Sequence, residues 1–218
     1  TFTSGLNTEK VTTMHEMFVG CENLTDANLS SFNTANVDDM SKMFDQCYAL
    51  TSIDLRNFNT ANVKSMYRMF RACESLTSLD LSSFNTVNVT EMSYMFYRCS
   101  NLKTISVGSE WSTENILTST EMFRDSPNLV GGKGTVYDIN HVDHEYAHID
   151  EGEDNPGYLT YKPTRDLNDD GKVSTADIQV IINDMKKPQG SQSVSYDLNH
   201  DGKISTADIQ VIINEMKK

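Results

Sequence analysis

The four cysteines of this 218-residue chain, Cys21, Cys47, Cys73 and Cys99, stand 26 residues apart each time, and that period constrains the fold more than any other feature. Aligning on them brings Met17, Met43, Met69, Met95 and, after one inserted residue, Met122 into one column. Each is followed by a phenylalanine: Phe18, Phe44, Phe70, Phe96 and Phe123. A unit of this size cannot close a core alone, but stacked units line up identical side chains and bury a continuous one. The methionine and phenylalanine columns are therefore core packing rather than a cofactor box. Equal spacing likewise makes the cysteines one repeat position occupied by buried free thiols, since disulfide frameworks are irregularly spaced over short chains.

Each unit also carries an apolar triplet: Leu50, Ile53 and Leu55, then Leu76, Leu79 and Leu81, then Leu102, Ile105 and Val107. Alternation around Ile53 and Leu55 has the period of a half-buried strand, which predicts one short parallel strand per repeat in a growing sheet. Two asparagine columns, Asn33, Asn59 and Asn85 with Asn36, Asn62 and Asn88, are expected to bond backbone groups left open where the chain turns. On the outward strand face lie Asn28, Asp54, Asp80 and Ser106 in one row and Asp26, Ser52, Ser78 and Thr104 in the next. They are small and polar, and Arg56 is the one anchor in these rows of the kind recognition surfaces favour.

The stretch "LTSLDLSSFNTVNVTEMSYMFYRC" resembles the BspA-like leucine-rich repeats of bacterial surface proteins, and the resemblance covers Leu6 to Val130. It implies an α/β-type leucine-rich-repeat solenoid, parallel strands stacked at a 26-residue period, that binds a protein or glycan on its concave face. Leu6, Asn7, Thr8, Val11 and Met14 match Phe32, Asn33, Thr34, Val37 and Met40, so the first repeat is incomplete and the natural protein is expected to continue upstream. At the other end Trp111 takes the slot of Phe84 and Ser126 the cysteine slot, the drift expected of a capping unit.

Residues 131–162 read as a C-terminal cap or connector. His141, His144 and His148 fall within eight residues among Asp143, Glu145 and Asp150, which suggests a transition-metal site. The spacing does not supply the fixed geometry zinc needs, and the glycine, tyrosine and proline content suits a folded cap or hairpin. The pieces "YAHID" and "NPGYLT" resemble the tail that often closes such repeats in the surface proteins, which implies the cap.

Residues 163–218 hold one segment written twice, "DLNDDGKVSTADIQVIINDMKK" from Asp166 and "DLNHDGKISTADIQVIINEMKK" from Asp197. Counted from Asp166, oxygens fall where a calcium loop needs them: Asp166, Asn168, Asp170, Lys172 through its carbonyl, Ser174 and Asp177, with Gly171 at the sharp turn. Asp197, Asn199, Asp201, Lys203, Ser205 and Asp208 repeat the set around Gly202, so two Ca2+ ions are the expected cofactors. Position 4, Asp169 or His200, points away from the metal, and Val173 and Ile204 at position 8 can pair the loops. No helical pattern precedes either loop. Ser174 and Ser205 are expected N-caps with Asp177 and Asp208 as third-position partners, followed by apolar faces of Ile178, Ile181 and Met185 and of Ile209, Ile212 and Met216.

Paired loops, aspartate at position 12 and missing entering helices resemble a type I dockerin, a small all-α module of two EF-hand-like loop–helix motifs. The resemblance implies a cohesin-like partner, met by Thr175, Ala176, Ile182 and Asn183 and by Thr206, Ala207, Ile213 and Asn214.

A formal charge of −13 argues against nucleic acid or an anionic membrane surface, and no apolar run reaches the ~20 residues of a membrane span. Nucleophile-elbow, phosphate-loop and HExxH patterns do not occur, so no enzyme activity is expected. With these features, the two resemblances imply a secreted or cell-surface, non-catalytic binding protein. Two alternatives stand beside it: a structural adhesin whose calcium module only stabilises the C-terminus, and the non-catalytic part of a polysaccharide-degrading complex with an enzyme domain upstream.

Overall fold

A computed structural model describes residues 6–168, 170, 172–188, 192, 196–199 and 203–217. The chain divides into two compact units, Thr1–Tyr161 and Lys162–Lys218.

In the first unit the 26-residue period becomes stacking. Phe18, Phe44, Phe70, Phe96 and Phe123 form one column of near-parallel rings with centroids 5.3, 5.6, 6.0 and 5.6 Å apart. Met43, Met69, Met95 and Met122 are fully buried beside them. A parallel sheet of β1 (Ser78–Leu81), β2 (Thr104–Val107) and β3 (Leu159–Tyr161) pairs Leu79 with Ile105 and Ile105 with Leu159. Leu79, Leu81, Ile105 and Val107 face the core, as the alternation predicts.

The predicted strand in every repeat is not found: among the described residues, no strand forms at Ile53 and Leu55. There the preceding repeat sets Ala27 and Leu29 at the matching positions, and backbone bonds from Ala49 to Glu22 and from Thr51 to Thr25, with the Asn57 amide on the Leu29 and Phe32 carbonyls, hold the chains. The third strand comes from the connector, because Val130 is followed by Gly131 and Gly132 where the next repeat's strand would run.

Nor is the wall opposite the sheet helical, as an α/β-type array implies. Alternate N–H groups of each repeat donate to carbonyls of the next: Met40, Lys42, Phe44 and Gln46 to Ser65, Tyr67, Met69 and Arg71. The residues between them close short turns within the repeat, such as Met43 to Met40 and Asp45 to Lys42. This zigzag requires left-handed backbone twice per repeat, at Glu16, Lys42, Arg68, Tyr94 and Glu121 and at Gly20, Gln46, Ala72, Arg98 and Asp125. Left-handed residues break a helix, which explains the absence of one.

Side chains tie the stack as well. Asn33, Asn59 and Asn85 each accept from the N–H two residues on, while Asn36, Asn62 and Asn88 donate to carbonyls Glu9, Ala35 and Ala61 of the preceding repeat. Thr8, Thr34 and Thr60 add a column that sequence reading missed: each hydroxyl donates to the carbonyl, and accepts from the N–H, of Asn33, Asn59 or Asn85 in the next repeat.

The expectation for the cysteines needs two corrections. Cys47, Cys73 and Cys99 are free and buried, but Cys21 is exposed, because among the described residues no repeat covers it. The buried three are also more than small hydrophobes: each Sγ donates to the carbonyl of Phe18, Phe44 or Phe70, at 3.2, 3.2 and 3.1 Å. Ser126 in the same slot donates to Phe96 at 2.7 Å, so the slot selects a small side chain with a proton.

In the second unit, α1 (Thr175–Met185) and α2 (Thr206–Glu215) pack around Ile181, Ile212 and Leu167. Ile178, Met185 and Ile209 join that cluster, whereas Met216, expected on the buried face, lies beyond the end of α2 and is 43% exposed.

Candidate calcium loops and the capped repeat wall

Each helix of the second unit begins with the predicted capping box. Ser174 accepts from Ala176 N–H and Ser205 from Ala207 N–H, while the Asp177 and Asp208 carboxylates take the N–H groups of Ser174 and Ser205 at 2.7 and 2.8 Å. The other oxygen of each carboxylate reaches across the loop. Asp177 Oδ1 accepts from Leu167 N–H at 2.7 Å and Asn168 N–H at 3.3 Å, and Asp208 Oδ1 accepts from Leu198 and Asn199 at 2.7 and 3.2 Å. Position 12 therefore closes back on positions 2 and 3 in both copies. Three hydrogen bonds occupy three of a carboxylate's roughly four lone-pair positions, leaving one on Oδ2 for a cation.

At the start of the first loop, Asp170 N–H donates to both Asp166 Oδ1 and Asn168 Oδ1, and the Asn168 amide donates to Asp170 Oδ2. Asp166 and Asp177 are buried, Asn168, Asp170 and Lys172 are exposed, and Ser174 is intermediate. In the second loop Asp208 is buried, Asp197 and Ser205 are intermediate, and Asn199 and Lys203 are exposed. Gly171, Gly202, Asp201 and the position-4 pair Asp169 and His200 lie outside the described residues. Hard oxygen donors, several anionic and two of the carboxylates fully buried, fit a hard divalent cation and not a soft one. Among the described residues, however, no three His, Cys, Asp or Glu side chains are drawn together at metal-binding distance. Of the predicted partner surface, Thr175, Ala176, Asn183, Thr206, Ala207 and Asn214 are exposed and Ile182 and Ile213 intermediate. Gln179 and Gln210 clamp the Asn183 and Asn214 amides at 2.9 Å.

The histidines of the connector do not converge. His144 Nδ1 meets Ser119 Oγ at 2.7 Å, His148 Nδ1 meets the Ile149 carbonyl at 2.9 Å, and His141 stacks on Tyr146. What gathers this segment is the open end of the wall. The last repeat's N–H groups have no following repeat to donate to, and the connector supplies acceptors: Asp143 Oδ1 for Glu121, the Val142 carbonyl for Phe123 and the Tyr137 hydroxyl for Asp125. Tyr158 ends the phenylalanine column edge-on at 5.3 Å from Phe123. Asp150 holds the cap's own loops, accepting from Lys133, Thr135 (backbone and hydroxyl) and Gly152. Burial by itself raises the pKa of this carboxyl, but the four hydrogen bonds outweigh it and hold the group well below the usual carboxylate range.

On the sheet face Asp26, Asn28, Ser52, Asp54 and Asp80 line a shallow cleft with Arg56. Asn28, Asp54 and Asp80 each bond the N–H two residues on, and Asp54 grips Arg56 through both oxygens at 3.0 and 2.8 Å. Stronger anchors sit on the turn wall, where Arg68 lies 4.8 Å from the Tyr67 ring and 5.1 Å from that of Tyr94, with Tyr97 edge-on to Tyr94. The signal was present as aromatic and basic residues at wall slots, but only the zigzag shows that those slots share a face.

A family model described as a Mycoplasma protein of unknown function, DUF285, matches residues 3–105 and 76–149, which together span more than half of the sequence. The chain belongs to the DUF285 family. The match runs through the array and into the connector, the stretch that the hydrogen bonds join into one stack. The model of the dockerin type I domain, a calcium-binding module, matches residues 164–217, so this DUF285 protein carries a dockerin type I domain at its C-terminus. No curated protein and no solved structure gives a significant match. Among the described residues no helix is long and apolar enough to cross a membrane.

Proposed function

We propose that this protein is a secreted or cell-surface, non-catalytic recognition protein: a leucine-rich-repeat-type solenoid displays the binding surface, and the dockerin domain docks it to a cohesin-like partner. The observation that carries the reading is the dockerin match over two loops whose position-12 carboxylates fold back to the loop start in the same way. Residues 1–130 form the array, 131–162 its cap and 163–218 the docking module. Two calcium ions are held by Asp166, Asn168, Asp170, the Lys172 carbonyl, Ser174 and Asp177, and by Asp197, Asn199, Asp201, the Lys203 carbonyl, Ser205 and Asp208. The ions neutralise each loop and so fix the start of its helix. The partner meets Thr175, Ala176, Ile182 and Asn183, or the equivalent Thr206, Ala207, Ile213 and Asn214.

The test immobilises the full chain and offers it secreted and surface proteins in calcium or in chelator, with mass spectrometry of the proteins retained. A cohesin-domain protein held in calcium, released by chelator and lost when Ile182, Asn183, Ile213 and Asn214 are replaced by aspartate supports the reading. Calorimetric binding of two calcium ions per chain, with no cohesin-domain protein retained, overturns docking and leaves a calcium-stabilised terminus.

A further inference from the structure

At the slot held by Phe32, Phe58 and Phe84, which are 4%, 2% and 0% exposed, the last repeat carries Trp111, and the larger indole is only partly buried. Its inner part packs on the core and its Nε1–H donates to the Ala147 carbonyl at 2.9 Å, which fixes the ring. The exposed remainder lines a cleft of about 240 Å³ together with Thr113, His148, Ile149, Glu151 and Asn155.

The polar groups of that cleft are also fixed. The Asn155 amide donates to Glu151 Oε2 at 2.9 Å, and Glu151 and Asn155 are tied again through their backbones at 3.1 Å. His148 Nδ1 faces a carbonyl, which can only accept, so the tautomer of the neutral ring that fits has its proton on Nδ1 and its acceptor at Nε2. An aromatic platform beside a carboxylate oxygen, an amide oxygen, a hydroxyl and an imidazole nitrogen complements a molecule with one apolar face and a rim of hydroxyls.

We propose that this cleft binds the terminal neutral hexopyranose of a glycan, with Trp111 against the C–H face of the sugar and Glu151, Asn155 and His148 taking its hydroxyls. The volume admits one ring. Glu151, with Glu153 and Asp154 next to it in a chain of net charge −13, disfavours uronic acids and sialic acid. Tying the cap to the last repeat accounts for the indole N–H bond, but not for the surplus ring surface or for the paired side chains beside it. A glycan ligand on the repeat unit is independent of docking, so its absence would leave the calcium-dependent capture untouched.

Trp111 is the only tryptophan in the chain, so its fluorescence reports the cleft directly. The full chain is titrated with the methyl glycosides of glucose, galactose, mannose and N-acetylglucosamine. A saturable change with at least one of them, half-maximal at millimolar concentration, is expected. Glu151→Ala with Asn155→Ala, both exposed and outside the core, should weaken it about tenfold or more while leaving the melting curve in place, since the sugar then loses two fixed hydrogen-bonding partners. Linear, unsaturable responses to all four sugars overturn the proposal. So does a saturable response that the double variant leaves unchanged.

Discussion

At the scale of single residues, the slots of the repeat are defined by backbone demands as much as by side-chain packing. The carbonyls of Phe18, Phe44, Phe70 and Phe96 each meet a proton donor from the following repeat, three thiols and one hydroxyl. Burial pushes the Cys47 and Cys99 thiols up to about 12, and that of Cys73 well above its usual value. The reactive species is the thiolate, so these three are inert in the folded protein. Counting thiols with a disulfide reagent should give one fast reaction, at Cys21, and three more only in denaturant; a second fast thiol would contradict the stacking. The left-handed slots make a different prediction. A left-handed L-residue costs roughly 1–2 kcal/mol, and glycine escapes that cost while losing about 0.5–1 kcal/mol to its unfolded-state freedom. Gln46→Gly should therefore stabilise by about 0.5 kcal/mol, and Gly20→Ala, where an added methyl group meets nothing within 4 Å, should destabilise by a similar amount or slightly more. Denaturant midpoints of the two variants, moving in opposite directions, would verify it.

At the scale of elements, the cap is the informative case. Its histidines and acids look like metal ligands in one dimension because the sequence sets them side by side and hides the groups they face. The stack shows three N–H donors of the last repeat in need of acceptors, and the acidic, carbonyl and phenolic oxygens of the connector meet them. The core columns and both capping boxes were legible because identical residues recur at one period, and because serine followed three residues later by aspartate has a local meaning. The zigzag wall was not: its left-handed slots hold glutamate, lysine, arginine, tyrosine, glutamine, alanine and aspartate, and Gly20 is the one glycine among them to advertise the conformation. The third strand was hidden for a related reason, since Leu159 lies 54 residues past Ile105, outside the period. Asp150 tests the cap directly. Its folded pKa lies below its unfolded value near 3.9, so its contribution is fully present above about pH 4 and is lost as pH falls towards the folded value. Asp150→Asn keeps the shape but, whichever oxygen the amide nitrogen replaces, sets its N–H groups against two of the four donors, which should cost about 2–4 kcal/mol at neutral pH. It should also flatten the acid limb of the stability curve below pH 4; an unchanged limb would assign that pH dependence to other carboxyls. Gly131→Ala should damage the same element, because a methyl group there meets the Gly157 carbonyl at 2.1 Å.

At the scale of the whole molecule, the two units answer to different forces, and that difference is measurable in one experiment. The first is held by apolar columns and by hydrogen bonds from repeat to repeat, and among its described residues no side-chain cluster requires an ion. The second has a small core of Leu167, Ile181 and Ile212, and the sequence of each loop sets three aspartates at the expected ligand positions, Asp166, Asp170 and Asp177 in one and Asp197, Asp201 and Asp208 in the other, like charges that a cation would offset. Ligand bound only by the folded form adds stability as RT ln(1 + [L]/Kd), about 2.7 kcal/mol at a hundredfold excess over Kd, and calcium held by the loops would add stability of that order to so small a core. Calorimetry of the full chain should then show two transitions. Calcium should raise one by several degrees, chelator should lower that one alone, and Asp166→Ala with Asp197→Ala should make it indifferent to both. If the transition that also carries Trp111 fluorescence moved with chelator, the ion would be stabilising the repeat unit as well; if neither moved, the duplicated loops would hold their helices through Asp177 and Asp208 without a metal.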